Sequence, residues 1–136
     1  MITINISAGE LADRTTILQI KQARIQDPAK LHWIQKELAV HEQKLEAILG
    51  HLDASERTHT EWLIAKLAGV NSSLWIVEDQ LRELEDLGQF DDHFIQLARS
   101  VYQNNDERFR LKTEINQLFN SEVREQKSYN KQWKYY

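Results

Sequence analysis

The sequence predicts an all-α protein: an antiparallel up-down-up-down four-helix bundle with long third and fourth helices and a short extended N-terminal segment. Only 4 Gly and 1 Pro occur in 136 residues, which favours long uninterrupted helices over turn-rich β structure. Apolar residues recur at steps of three and four along most of the chain, which is the period of an amphipathic helix. The connections between these stretches are short, so consecutive helices are expected to be antiparallel neighbours.

The first helix is expected to begin at Ser7. Ser7 and Glu10 have the spacing of a capping box, in which each side chain accepts a hydrogen bond from the backbone N–H of the other residue. Asp27 and Pro28 are predicted to end this helix and begin the second, with Asp27 as the N-cap and Pro28 in the first turn. Apolar and polar residues alternate over positions 2–6, which predicts the extended segment.

The later helices have their own boundary signals. Thr58 and Glu61 have capping-box spacing and predict the start of the third helix. Gly88 is expected to end that helix in a left-handed conformation, and Asp91 is the predicted N-cap of the fourth helix. Residues 1–120 are predicted to form the helical bundle, and residues 121–136 a basic, aromatic tail that belongs to the same domain.

Composition excludes several classes of protein. With 41% hydrophobic and 28% charged residues, the chain is neither disordered nor membrane-embedded, and it has no apolar run of 18 residues. A net charge of −4 argues against a nucleic-acid partner. The absence of Cys fits a reducing compartment, so we predict a cytoplasmic protein. Taken with the composition and the net charge, we predict no membrane and no nucleic-acid partner.

A polar break interrupts the apolar stripe of the fourth helix at positions 104–108. In antiparallel hairpins, residues at one height have numbers that sum to a constant set by the turn. Counting from the turns places His41, Asn71 and Arg108 at one level, together with residue 13 or 14. The interruptions are therefore expected to form one polar layer that crosses the bundle.

A second polar level is expected one step along the bundle. Lys21 and Arg24 of the first helix approach the predicted height of Glu78 and Asp79 in the third helix. Tyr102 and Asn105 of the fourth helix are expected at the same height. Lys21 and Glu78 are expected to form a charge pair, because an unpaired buried charge costs several kcal/mol.

Two interpretations of these layers remain open. Buried polar groups can fix the register of packed helices, as a core Asn does in a coiled coil. Alternatively, the layers line a pocket for an anionic metabolite that carries phosphate or carboxylate. The candidate ligand-binding residues are Lys21, Arg24, His41, Asn71, Glu78, Asp79, Asn105, Arg108 and Lys112.

Neither a catalytic residue nor a cofactor is predicted. Di-iron bundles need paired Glu-x-x-His motifs, and the Glu-x-x-His that runs from Glu56 to His59 has no twin. We therefore predict no metal site. The sequence also lacks a Gly-rich phosphate loop and a nucleophile elbow.

The C-terminal tail combines aromatic residues with positive charge. One interpretation of the tail is a disordered end, and the other is a segment that docks onto the bundle, a dimer mate or another protein. The candidate partner-binding residues are Tyr129, Trp133, Tyr135 and Tyr136. A homodimer is expected because the first helix is too short to cover the long hairpin of the third and fourth.

Several stretches together resemble a bacterial domain-of-unknown-function family of small all-helical proteins. They are GELADRTTILQIKQARI, VNSSLWIVED, LARSVYQNNDERFRLKTEIN and EVREQKSY. The resemblance implies an all-helical fold and no assigned activity. The positions that recur in the family fall here on Asp13, Thr16, Lys21, Arg24, Asn71, Trp75, Glu78, Asp79, Tyr102, Asn105, Asp106, Arg108, Lys112 and Asn116.

For function, we predict a cytoplasmic, non-enzymatic binding or assembly protein. Members of the resembling family that occur beside envelope-polysaccharide and glycosyltransferase genes suggest an accessory role in carbohydrate or envelope biosynthesis. The alternative is a small all-α enzyme or ligand-binding module for an anionic metabolite.

Overall fold

Four helices form the fold, and the residues that the structure describes contain no strand. They are α1 (Ala8–Arg24), α2 (Pro28–Leu49), α3 (Ala54–Leu87) and α4 (Asp92–Leu118). The computed structural model describes residues 1–121 and 124–128, and residues 1–7 precede α1 outside any helix. The predicted all-α class with four helices is confirmed, and the up-down-up-down order stays a prediction.

Local sequence signals set most of the helix ends. Ser7, Asp27 and Asp91 each accept a hydrogen bond from a backbone N–H in the first turn of α1, α2 and α4, as predicted. Gly88 ends α3 with φ +66°, a left-handed conformation that lacks the steric penalty of a Cβ. Glu10 does not complete the predicted box at Ser7, because its carboxylate forms ion pairs elsewhere.

Helix α3 begins earlier than predicted. The Asp53 carboxylate accepts a hydrogen bond from the Glu56 N–H at 2.8 Å, and the Glu56 carboxylate accepts one from the Asp53 N–H at 3.3 Å. This capping box precedes Thr58, whose hydroxyl donates to the Ala54 carbonyl inside the first turn. The predicted start at Thr58 is therefore wrong, because an equivalent Asp-x-x-Glu pair lies closer to the end of α2.

Helix α1 lies at the centre of the fold. It packs against all three other helices, and α3 and α4 pack along each other. The backbone of α2 lies close to that of α1 and makes few close approaches to α3 or α4. Gly9 permits a close approach to α4, since its N–H donates to Asn116 Oδ1 at 2.7 Å and a Cβ there would overlap the Lys112 carbonyl. Asp13 contacts Arg108 one turn further along, so residue numbers rise along α1 as they fall along α4.

Two separate apolar clusters lie on either side of a polar segment of α1. The larger cluster joins all four helices and contains Ala12, Leu45, Leu49, Leu63, Leu67, Leu111 and Ile115. The smaller joins only α1 and α2 and contains Leu18, Ile34 and Leu38, with Ile25 packed against it. Asp13, Thr15 and Thr16 lie between the two clusters and are buried. Beyond this polar segment no buried apolar cluster joins α1 to α3 and α4 among the described residues, which leaves room for a cleft.

Candidate ligand-binding cleft

The floor of the cleft is an ion pair between α1 and α4. Asp13 is 1% exposed, and its carboxylate accepts two hydrogen bonds from Arg108, from Nε at 2.7 Å and from Nη2 at 2.5 Å. Two parallel bonds of this kind fix the orientation of a guanidinium as well as its position. Asn71 of α3 donates to the same carboxylate at 3.0 Å, so Asp13 links three helices.

Thr16 completes this network. Its hydroxyl accepts a hydrogen bond from Asn71 Nδ2 at 2.9 Å and donates to the Asp13 carbonyl at 2.8 Å. An uncompensated buried carboxylate would destabilise the fold by several kcal/mol, so Asp13 can be buried here only because these hydrogen bonds compensate its charge. Hydrogen bonding to Asp13 raises the pKa of Arg108 against the opposing effect of its burial, so the guanidinium stays charged.

A second ion-pair cluster lies one turn further along α4. The Lys112 side chain is 8% exposed, and its Nζ contacts Glu10 Oε2 at 2.8 Å and Glu125 Oε2 at 2.6 Å. Burial alone would lower the pKa of Lys112, but hydrogen bonds to both carboxylates outweigh it and raise the pKa. Burial alone would raise the pKa of Glu10, yet hydrogen bonds from Lys112 and Arg14 lower it overall.

Residues 124–128 lie against α4 next to this cluster. Lys127 Nζ lies 5.4 Å from the ring centroid of Phe109 and donates to the Asn105 carbonyl at 3.5 Å. A cavity of about 70 Å³ separates this segment from α4. The cluster is therefore enclosed by the chain itself and leaves little space for a ligand.

The larger cavity opens between α1, α3 and α4 above the Asp13–Arg108 pair, with a volume of about 490 Å³. One side is apolar and is formed by Ile17 and Ile20 of α1 with Leu74 and Trp75 of α3. The polar lining residues are Asn71, Glu78, Asp79, Arg82, Asn105 and Arg108. This combination of apolar walls and few polar groups is typical of small-molecule sites.

One buried side chain that lines the cleft has an acceptor that no described residue satisfies. Asn71 is 5% exposed, and both hydrogen bonds of its Nδ2 go to Asp13 and Thr16. Asn71 lines the cleft, and none of the described residues donates a hydrogen bond to its Oδ1. The cleft is therefore lined by a buried residue whose capacity to accept a hydrogen bond is not used by the described residues.

Five of the candidate residues are brought together at this cleft. Asn71, Glu78, Asp79, Asn105 and Arg108 all line it, and Asn71 and Arg108 share the Asp13 carboxylate. Their proximity agrees with the expected polar layer, and their role in binding stays a prediction. Lys112 lies outside the cleft, in the enclosed cluster with Glu10 and Glu125.

His41 is not part of the polar layer. Its Nδ1 lies 2.9 Å from the Glu37 carbonyl oxygen of its own helix. It lines a different open groove of about 330 Å³ on the surface of α2, together with Trp33 and Val40. The predicted placement beside Asn71 and Arg108 is wrong because it assumed that α2 lies along α3, whereas α2 packs mainly on α1.

The predicted Lys21–Glu78 charge pair is also wrong. Glu78 pairs with Arg82 on its own helix at 3.2 Å. Lys21 and Arg24 are not among the residues that line the cleft, and Arg24 is exposed. The cleft separates α1 from α3 at this height, so the two charges do not meet.

The four candidate partner-binding residues of the tail, Tyr129, Trp133, Tyr135 and Tyr136, lie outside the described residues.

Four residues take part in the site but were not among the candidate ligand-binding residues: Asp13, Thr16, Trp75 and Arg82. Asn71, Trp75 and Asp79 follow one another at intervals of four, so they lie on one face of α3. That spacing was a usable signal for Trp75. Thr16 has no such spacing signal, since its contact with Asn71 depends on how α1 packs against α3, but like Asp13 it is among the positions that recur in the resembling family.

Neither a metal site nor a membrane span is found in the part of the chain that the structure describes. No group of three or more His, Asp or Glu side chains there could hold a metal ion. No helix among residues 1–121 and 124–128 is long and apolar enough to cross a membrane.

Fold and cleft together define an all-helical protein with an open cavity between three of its helices. The chain belongs to DUF6165, described as a family of unknown function, whose model matches residues 2–134. The predicted resemblance to an all-helical family of unknown function is thereby confirmed. No curated protein and no solved structure matches the chain.

Proposed function

We propose that this protein is a non-enzymatic binding module that holds a small molecule in the cleft between α1, α3 and α4. The observation that carries the proposal is that the cleft is lined by buried Asn71, whose Oδ1 accepts no hydrogen bond from the described residues. A buried acceptor without a donor costs about 1–3 kcal/mol, and a donor group on a ligand would remove that cost.

The dimensions of the cleft support the same proposal. Its volume of about 490 Å³ lies within the range of roughly 300–1,000 Å³ that is usual for small-molecule sites. The network of Asp13, Thr16, Asn71 and Arg108 holds the floor in place, so little ordering is needed when a ligand binds.

Binding is favoured over catalysis by the state of the charged groups. General acid–base catalysis needs a group whose pKa lies near the working pH. Arg108 is held by Asp13 with a raised pKa and cannot act as a proton donor near neutral pH. Glu78 is paired with Arg82, which leaves Asp79 as an exposed carboxylate at the cleft.

The wider setting is part of the proposal. Cytoplasmic placement is supported by the absence of Cys, and an accessory role in carbohydrate or envelope biosynthesis by the sequence resemblance alone. Assembly as a homodimer is supported by exposed apolar side chains on α2, α3 and α4, among them Trp33, Leu87 and Ile95.

A thermal-shift screen of the full chain tests the binding proposal. The compounds are nucleotide sugars, phosphorylated metabolites, small amines, polyols and divalent metals. A true ligand at about 100 times its Kd is expected to stabilise the native state by about 2.7 kcal/mol and so raise the Tm.

Two neighbouring asparagines provide a matched pair of variants. Asn105 lines the cleft, whereas the Asn104 side chain donates to the Ser100 carbonyl of its own helix. Asn105→Ala is expected to reduce the ligand-induced shift and Asn104→Ala to leave it unchanged. A ligand whose shift is equally large in both variants binds elsewhere, and a screen in which no compound raises the Tm contradicts the proposal.

A further inference from the structure

We propose that the ligand of this cleft carries an ammonium group, which Asn71 Oδ1, the Trp75 ring and the Asp79 carboxylate recognise together. This inference rests on the proposed binding function and adds the chemical class of the ligand. It departs from the anionic metabolite that the sequence suggests.

Each positive charge that lines the cleft has a carboxylate partner. Arg108 forms a two-bond ion pair with buried Asp13, and Arg82 pairs with Glu78. Asp79 forms no ion pair with any of the described residues and is an exposed carboxylate that lines the cleft. The sum over these five groups is three negative and two positive charges, so the cleft attracts cations.

The cations that could have held an anion are engaged or lie elsewhere. Lys112 is enclosed by Glu10 and Glu125, while Lys21 and Arg24 do not line the cleft. An anionic ligand would therefore meet Asp79 without an uncompensated cation among the described lining residues. Desolvating two like charges together is unfavourable, which argues against a phosphate or carboxylate.

Three recognition groups follow one another along α3. Asn71, Trp75 and Asp79 are spaced by four residues, so they lie on successive turns about 6 Å apart along the helix axis. Asn71 is buried, and all three residues line the cleft. A ligand that lies along this face of α3 can contact all three residues.

Their chemistry matches an ammonium group. An ammonium has hydrogen-bond donors and no acceptor, which suits the free Oδ1 of Asn71 and the oxygens of Asp79. The face of an indole attracts cations through its quadrupole, more strongly than that of the other aromatic side chains. The apolar residues Ile17, Ile20 and Leu74 would contact the hydrocarbon part of such an amine.

Three fragments of matched size separate charge from shape: cyclohexylammonium, cyclohexanol and cyclohexanecarboxylate. Each is titrated into the full-length ¹⁵N-labelled chain at low salt, and the Trp75 indole and Asn71 amide resonances are followed. The amine is expected to bind about fivefold more tightly than the alcohol, which is the size of a single exposed cation–π contact. The carboxylate is expected to bind most weakly.

Two carboxyl variants on α3 provide the control. Asp79 lines the cleft, and Glu83 is an exposed acid on the same helix that does not. Asp79→Asn is expected to lower the affinity for the amine about threefold and to leave that for the alcohol unchanged. Glu83→Gln is expected to change neither.

The outcomes distinguish the two proposals. If the carboxylate binds as tightly as the amine, or if Asp79→Asn and Glu83→Gln weaken the amine equally, the ammonium inference is wrong while the cleft remains a binding site. If none of the three fragments shifts the cleft resonances at concentrations that saturate weak sites, the binding function is contradicted as well.

Discussion

The Asp13–Arg108 pair shows how one buried charge constrains its neighbours. Asp13 is almost fully buried, so its carboxylate must be compensated, and Arg108 and Asn71 together supply three hydrogen bonds. Both amide hydrogens of Asn71 are used in this network, one for the Asp13 carboxylate and one for the Thr16 hydroxyl, and its oxygen accepts no hydrogen bond from the described residues. The feature that supports ligand binding is thus a consequence of charge compensation.

Arg108→Met is expected to lower the free energy of unfolding by about 3–5 kcal/mol, because it leaves Asp13 buried and without its ion pair. Urea unfolding measures the loss. Arg24→Met is the control, since Arg24 is exposed and is expected to change stability by less than about 0.5 kcal/mol. Equal losses in the two variants would contradict the structural role of the pair.

Glu10 is expected to make stability depend on pH in the acid range. Folding lowers the Glu10 pKa from its ordinary value near 4.5, so its stabilisation is present above that value and is lost as pH falls through the lower folded-state pKa. Glu10→Gln should therefore cost about 1 kcal/mol at pH 7. The difference from the parent protein should shrink below pH 4.5. The exposed control Glu37→Gln should show no such trend, and a pH-independent difference for Glu10→Gln would oppose this account.

At the scale of helices, α1 decides where the site lies. It approaches α4 closely at Gly9, is joined to α3 and α4 by the polar network at Asp13 and Thr16, and then leaves a cleft beside Ile17 and Ile20. Helix α2 packs mainly on α1, so it takes part in the larger apolar cluster but not in the cleft.

Two glycines in helices are expected to respond to alanine in opposite directions. At Gly9, an added Cβ would overlap the Lys112 carbonyl and lie 2.7 Å from Asn116 Oδ1, so Gly9→Ala should destabilise the protein by about 1–3 kcal/mol. At Gly69, nothing lies within 4 Å of an added Cβ, so Gly69→Ala should stabilise α3 by about 0.5–1 kcal/mol. Thermal unfolding of both variants measures this, and a neutral Gly9→Ala would argue against close packing of α1 on α4.

At the scale of the molecule, apolar surface remains uncovered. Beyond Asn71 and Arg108, the seam residues of α3 and α4 are only half-buried, and Ile76, Leu87, Phe90 and Ile95 are exposed. Exposed apolar surface of this kind commonly marks a contact with another protein.

A homodimer is the expected way to cover this surface. Light scattering coupled to gel filtration should give twice the mass of one chain at micromolar concentration. Leu87 lies at the end of α3, beside the turn to α4. If this turn forms the interface, Leu87→Glu is expected to shift the protein towards the monomer. Gln22→Glu, at an exposed position of α1, is expected to leave the mass unchanged. The mass of a single chain across the whole concentration range would contradict the dimer.

Sequence alone determined the class and most helix ends. The caps at Ser7, Asp27 and Asp91 and the stop at Gly88 depend on contacts within about four residues, which the sequence displays directly. It also predicted that Asn71 and Arg108 share a level, since that depends mainly on the register of the α3–α4 hairpin around its short turn.

Tertiary packing decided which helices line the cleft and which charges are compensated. The placement of α1 among the other helices explains why His41 lies outside the polar layer and why Lys21 does not meet Glu78. It also explains why the described residues use the Nδ2 of Asn71 and not its Oδ1. Helical periodicity indicates which face of a helix is apolar, but many partners can cover such a face. The choice among them depends on long-range packing and charge compensation, which only the folded structure reveals.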